Sequence, residues 1–433
     1  MESTALVPYT PPAAVAALPP VDVYVPAVTT NTGILAASIG RKALLAAVTQ
    51  AATVIERRNT IPILSNIKLS SCSDMVAVEG TDLDATVRVT VPAIVDCRPW
   101  TTTVPAHILQ DVLKKSAAES VDLILSTELT KKGDKVLSTV ESVKVKLGGV
   151  TVTLQPLPST DFPIMADASM KAGFTLPATA LLAAMDDVEF AISTEETRYY
   201  LNGVYLEARR PTRGSPVAIR ATSTDGHRLA SRDLPVTLDG RAWGAAIKGK
   251  GVIVPRATLA AMAKVFKAAK AKKGEHSTPQ VSVAIGKERI RFASGGITLT
   301  SKLVDGTFPD YARVIPAGND KVATIDADAL VAAISSVSTI RSERGPAVKF
   351  SLKPGELTLS VSNPDSGGAV TTVACDYTGD DFVTGFNSRF VLDILAHFAG
   401  QAVTLRLADP GSPALICAAA RPELLTVLMP MRV

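Results

Sequence analysis

Thr224, Asp225, Gly226, His227, Arg228 and Leu229 set an acid, an imidazole and a guanidinium within four consecutive positions. An Asp-His pair can orient an imidazole as a general base, the chemistry of acid–base or nucleophilic catalysis. Such a site is a three-dimensional constellation, and a short match in one segment does not build it. Read as a strand, the run places Asp225, His227 and Leu229 on one face and Gly226 and Arg228 on the other. The rest of the sequence has no Walker loop, no HExxH, no nucleophile elbow and no Cys/His metal spacing. His107, His227, His276 and His397 stand in separate segments, so neither an enzyme nor a cofactor is expected. Cys72, Cys97, Cys375 and Cys417 are far apart in apolar or strand-like contexts, as buried thiols in a reducing cytoplasm would be.

A chain of 433 residues exceeds one ordinary core and calls for two or three domains. Its composition, 47% hydrophobic but 5% aromatic, fits a globular protein with an aliphatic core. No apolar run reaches the roughly 18 residues that span a bilayer, so no membrane partner is expected. The net charge of +4 is too small for this length to announce a nucleic-acid binder. Lysines cluster at Lys264, Lys267, Lys270, Lys272 and Lys273, and again at Lys131, Lys132 and Lys135. Either cluster reads most simply as a solvated surface. Residues 1–33 carry Pro8, Pro11, Pro12, Pro19, Pro20 and Pro26, which interrupt every apolar run. A disordered or extended tail is expected there, because proline breaks helices and central strands. The tail also lacks the pattern of a secretory signal.

The elements that must position the Thr224–Leu229 run come in triplicate. "ALLAAV" at Ala43, "ALLAAM" at Ala180 and "ALVAAI" at Ala329 each begin an amphipathic helix. Each is followed by a strand-like run, "IPILSNIKL" from Ile61, "YYLNGVYLEA" from Tyr199 and "GPAVKFSL" from Gly345. A hairpin follows each in turn, at "GTDLDATVRV", "STDGHRLASRDL" and "SNPDSGGAVTTV". Second helices enter behind "TTVPA", "VIVPR" and "GFNSR", with Pro105 and Pro255 suited to a first helical turn. Further strands close each unit. The pattern predicts an α+β protein of three repeated units of about 110 to 150 residues, each with two helices on antiparallel sheet.

These words in this order resemble the bacterial DNA polymerase III β subunit family, the sliding clamps. The likeness runs from about residue 36 to Val433 and is carried by "IPILSNIKL", "GTDLD", "TTVPA", "RYYLNG", "TDGHRLA", "TSKLVDGTFPDYARVIP" and the terminal "MPMRV". It implies clamp domains over 34–170, 171–318 and 319–433 behind the 1–33 tail. Two such chains are expected to pair head to tail as a homodimeric ring around duplex DNA. It implies a processivity factor without catalysis that works in the cytoplasm. Its partners would be the replicative polymerase, the clamp loader and mismatch-repair and ligase proteins. By position, DNA contacts would come from Arg41, Lys42, Arg58, Lys114, Lys115, Arg198, Tyr199, Tyr200, Arg256, Lys264 and Lys267. Asp186, Asp187 and Glu189 would make the DNA-facing field uneven. A peptide pocket between the second and third domains would use Leu201, Thr224, Gly226, His227, Arg228, Leu229, Pro309, Arg313, Val314, Asn387, Phe390, Val427, Leu428, Met429, Pro430, Met431 and Arg432. Leu201, Leu229, Val314, Leu428 and Met429 would form its apolar walls, with His227, Arg228 and Arg432 at the rim. Phe390 stands where the family more often has Tyr. Val152 and Leu154 of one subunit would meet Thr339 and Ile340 of the other. Two other readings remain open: a specialised, inhibitor-resistant or mobile-element copy of the same clamp, and a DNA-modifying enzyme on a repeated scaffold.

Overall fold

The computed structural model describes residues 33–432 apart from 58, 97, 133–134, 166–169, 171, 210–216, 239–250, 268–278 and 341–344. The expected tail, Arg58 and the lysines from Lys270 to Lys273 lie outside the described residues, as do the side chains of Lys131, Lys132 and Lys135. Helices α1 (Arg41–Ala51), α2 (Ala106–Lys115), α3 (Ala178–Glu189), α4 (Arg256–Lys267), α5 (Ala327–Val337) and α6 (Ser388–Leu395) follow the repeat. Each buries residues spaced three or four apart, for example Leu44, Ala47, Val48 and Ala51 in α1 and Ala327, Leu330, Ile334 and Val337 in α5. That spacing puts one stripe of each helix against sheet. Asp326 and Asn387 cap α5 and α6 by accepting the N–H groups of Ala329, and of Arg389 and Phe390. Pro105 and Pro255 end the strands Thr101–Pro105 and Gly251–Pro255, one residue before their helices rather than inside the first turn.

The chain forms two compact units, one of residues up to Ala178 with Ala260–Lys302, the other of Thr179–Leu259 with Leu303–Val433. The first holds a 12-stranded sheet whose main path starts at Val150–Leu154 and ends at Ala172–Pro177. At its middle, Ala85–Val95 pairs antiparallel with Ile297–Lys302 in the register Ala85↔Ser301 and Thr86↔Thr300. In the same unit, Gln50 of α1 donates to the Val265 carbonyl of α4 at 3.2 Å. The second unit holds an 8-stranded sheet and a 4-stranded sheet. Its middle joint pairs Arg228–Leu238 with Leu424–Leu428 in the register Arg228↔Leu428 and Leu229↔Val427. The 4-stranded sheet runs from the edge strand Gly367–Ala374 to Phe382–Asn387.

One turn is built repeatedly. Thr81 Oγ1 donates to the Ala85 carbonyl at 2.8 Å, and Asp82 Oδ1 accepts the N–H groups of Asp84 and Ala85 at 2.9 and 2.6 Å. Thr224 Oγ1 donates to the Arg228 carbonyl at 2.7 Å, and Asp225 Oδ1 accepts those of His227 and Arg228 at 2.8 and 2.9 Å. In the third repeat Asn363 Oδ1 accepts the N–H groups of Asp365 and Ser366. The third residue is left-handed in the first two turns, Leu83 at φ 79° and Gly226 at φ 88°. A Cβ on Gly226 would also lie 2.8 Å from Arg198 Nη1.

Three sequence expectations need correction. Tyr199 and Tyr200 belong to a 3-10 segment, Glu196–Leu201, and the strand begins only at Gly203. Pro62–Ser65 repeats that geometry before Asn66. Among the described cysteines only Cys375 is buried; Cys72 is exposed at the mouth of a tight hairpin, opposite Met75. Asp187 does not add to a surface field: it is buried in α3, where Arg421 donates to both its oxygens at 3.0 and 2.7 Å. The Arg232 guanidinium and His397 Nδ1, the latter at 3.3 Å, complete the cluster.

Three predictions rest on these packing details. Gly226→Ala should destabilise by about 1–2 kcal/mol, and Leu83→Gly should relieve its own turn by about 1 kcal/mol, because the left-handed region penalises a Cβ. Urea melts would check this, and equal signs for the two variants would contradict it. Asp187→Ala should cost about 3–5 kcal/mol by leaving buried cations uncompensated. Burial holds the His397 imidazole below its ordinary pKa; the Asp186 carboxylate pulls it up and Arg421 pushes it down. A histidine harder to protonate folded than unfolded contributes stability above pH about 6.5 and loses it as pH falls below that value. His397→Asn should flatten the decline in stability as pH falls below about 6.5, and an unchanged slope would contradict the assignment.

Candidate functional site

The Thr224–Arg228 turn does not assemble an acid–base pair. Asp225 spends Oδ1 on backbone N–H groups and Oδ2 on Arg228 Nε at 3.0 Å, so both its oxygens are engaged by groups other than the imidazole. Among the described residues no group of three His, Cys, Asp or Glu side chains is placed to hold a metal ion. What the turn does is close one side of an apolar floor. Leu201, Leu229, Ile253, Phe308, Tyr311 and Val427 form a buried cluster, with Leu425 and Tyr205 packed against it. Cross-strand pairing of Leu229 with Val427 brings the two halves of this floor together. Beneath it, Tyr205 and Phe308 stack with centroids 4.7 Å apart, and the Tyr311 hydroxyl donates to Glu207. Burial, and then the Glu207 carboxylate, raise the Tyr311 hydroxyl above its ordinary pKa, which keeps it a neutral donor.

The chain end continues the wall. Met429 N–H donates to the His227 carbonyl at 2.8 Å, and Met431 N–H to the Gly385 carbonyl at 2.9 Å. The segment from Met429 to Arg432 is thereby threaded between the turn and the strand Phe382–Asn387. Met429 and Val314 remain exposed, as do Pro309, Arg313 and Arg432, while Pro430 and Met431 are half-buried. Leu428, expected as a wall, faces the other way and packs in the core of the third repeat with Leu330 and Ile394. The strand alternation that points Val427 into the floor requires it.

The rim is also arranged differently from its sequence reading. Asn387 uses its side chain as the cap of α6. The His227 ring stacks at 6.2 Å on Phe390. The Arg228 guanidinium is not free at the rim: Asp225, Asp393 and the faces of Phe390 and Phe190 surround it. Arg313 pairs with Asp310 at 3.1 Å while staying solvent-exposed. Asp393, Phe190, Tyr205, Phe308 and Tyr311 belong to this site and were missed from sequence. Asp393 lies 165 positions from Arg228, and no local pattern links them.

Of the residues expected to meet DNA, Lys42, Lys114, Lys115, Arg256, Lys264 and Lys267 are exposed on their helices. Arg41 is otherwise engaged: Nε donates to the Ala118 carbonyl at 2.7 Å and Nη1 to the Leu113 carbonyl at 3.0 Å. It thereby satisfies the orphan Leu113 carbonyl in the last turn of α2 and ties it to the loop that follows. Arg198 pairs with Glu195, Tyr199 is exposed and Tyr200 half-buried. Of the expected subunit contacts, Val152 is half-buried and Leu154 buried on the edge strand Val150–Leu154. Thr339 is exposed just after α5, and Ile340 packs against the third-repeat core.

Comparison with known proteins matches three consecutive family models. These are the DNA polymerase III beta subunit N-terminal domain over residues 35–166, the central domain over 175–310 and the C-terminal domain over 312–432. The beta sliding clamp of Caulobacter vibrioides is 39% identical over 396 residues, covering 92% of this chain and 99% of that protein. That of Pseudomonas aeruginosa is 33% identical over 395 residues, covering 91% and 99%. Among solved structures, a sliding clamp from Bartonella birtlesii bound to griselimycin has a TM-score of 0.80 at 35% identity, covering 92% of this chain and 100% of that one. The Caulobacter crescentus clamp gives 0.79 at 38% identity, covering 92% and 100%. With all three domain models in order and relatives matched along nearly their whole length, this chain belongs to the DNA polymerase III beta subunit family, the beta sliding clamps.

Proposed function

We propose that this protein is a DNA sliding clamp, a non-catalytic processivity factor whose two copies close head to tail around duplex DNA. The proposed domains are 34–170, 171–318 and 319–433. It works in the cytoplasm on the chromosome, and among the described residues no helix is long and apolar enough to cross a membrane. The observation that carries ring closure is a pair of strands that, among the described residues, end their sheets. Val150–Leu154 ends one sheet and Gly367–Ala374 ends another, and each presents an outward valine, Val150 at 60% and Val370 at 70% exposure. Unpaired strand edges are adhesive, so pairing these two between copies would bury both and leave no open edge there. In this reading Val150 and Val370 supply apolar contact beside Val152, Thr339 and Ile340, while Leu154 serves its own core.

Retention then comes from topology, and phosphate contacts only keep the duplex centred. Lys42, Lys114, Lys115, Arg256, Lys264 and Lys267 offer long cations suited to sequence-independent contact. The floor of Leu201, Leu229 and Val427 with Met429 and Val314 at its margin would take an extended apolar peptide from the polymerase, the clamp loader or other clamp-binding proteins.

Charge reversal of Lys264 and Lys267 tests the DNA-facing assignment. The double variant should keep the mass of a two-subunit ring, near twice 45.2 kDa by light scattering. Its DNA binding should weaken, and the slope of log affinity against log salt should fall by about 2. An unchanged slope would remove these lysines from the DNA path, and a stable monomer in the unmodified protein would contradict ring closure.

A further inference from the structure

We infer that Asp393 and Phe190 are positioning residues of the peptide groove and act on it through Arg228, an inference that rests on the groove reading above. Arg228 sits between two groove residues, His227 and Leu229, at the start of the strand Arg228–Leu238. Its side chain is 11% exposed, and the guanidinium is held by two carboxylates and two aromatic rings. Asp225 Oδ2 accepts from Nε at 3.0 Å and Asp393 Oδ2 from Nη1 at 2.5 Å. The guanidinium carbon lies 4.3 Å from the Phe390 ring centroid and 5.4 Å from that of Phe190.

These partners come from different parts of the chain. Asp225 is local to the turn, whereas Phe390 and Asp393 are three apart on one face of α6 and grip the guanidinium by face and edge. Phe190 follows α3 and is itself held by a stack on the His397 ring at 5.0 Å. Asp187 contacts that same ring. A planar cation with fixed donors is suited to such a four-sided hold. The cage ties the turn to α6 and so fixes His227, whose carbonyl receives the Met429 N–H and whose ring stacks on Phe390.

The alternative role for Arg228 is direct contact with a peptide carboxylate, and the two roles give opposite signs. If Arg228 braces the wall, removing Asp393 loosens the groove and weakens peptide binding. If Arg228 is a ligand restrained by Asp393, the same removal frees it and strengthens binding.

Fluorescence anisotropy with a labelled consensus clamp-binding peptide on the full chain distinguishes them. Asp393→Ala should weaken binding on the order of tenfold, as loss of a charged hydrogen bond does. Asp393→Asn, which keeps the shape, should weaken it several-fold (roughly 3 to 5). Asp393→Glu should recover most of the affinity, and Phe190→Leu should weaken binding with Arg228 present. In an Arg228→Ala background, adding Asp393→Ala or Phe190→Leu should change the affinity no further. Once loaded, the Asp393 variants should dissociate from circular DNA no faster than the unmodified protein. Unchanged or tighter binding by Asp393→Ala, or additive losses in the double variants, would overturn the inference. Failure of the unmodified protein to bind the peptide would instead overturn the groove reading itself.

Discussion

The backbone hydrogen bonds between Arg228–Leu238 and Leu424–Leu428 are the constraint on which the rest of the second unit depends. They join a strand of the central family domain to the last strand of the C-terminal one, so that a single sheet continues where two domains meet. The register then decides every side chain nearby. Leu229 and Val427 must share one face and build the floor, while Leu428 must turn into the core of α5 and α6. A slip of one residue would exchange these roles and break up the apolar floor.

The first unit repeats the same joint with different chemistry. Ala85–Val95 pairs with Ile297–Lys302, and Lys302 N–H donates to the Asp84 carbonyl at 2.8 Å, matching the bond from Met429 to His227. The turns superimpose in their hydrogen bonds, yet the side chains that crown them diverge. At the first joint Lys302 pairs with Asp84 at 3.0 Å beside Leu83. At the second, Gly226 leaves room for Arg198, and Met429 lies exposed next to His227. Repetition thus supplies the scaffold, and a few differences at equivalent positions give the second joint an apolar cluster where the first carries an ion pair.

Much of the architecture was legible because it is local. The helices announce themselves through apolar spacing, and the recurring turn through Thr-Asp or Asn followed by alternating runs. The Tyr199–Tyr200 run misled because aromatic residues favour strands, whereas here they occupy a 3-10 turn ahead of the strand. The roles of charged residues were the least legible. Arg41, Arg228 and Asp187 look like surface charges in sequence, but each is consumed by partners far along the chain: carbonyls in and just past α2, a carboxylate–aromatic cage and a buried cation cluster. Propensity does not see such pairings, which exist only once the sheets have brought distant segments together.

That the protein holds DNA by enclosing it rather than by gripping it is tested most directly by cutting the DNA. Protein loaded by its cognate loader onto nicked circular duplex, freed of unbound protein at high salt, would be followed by gel filtration before and after a single restriction cut. Enclosure requires co-elution with the circle and release from the linear product. Equal retention on both would contradict it.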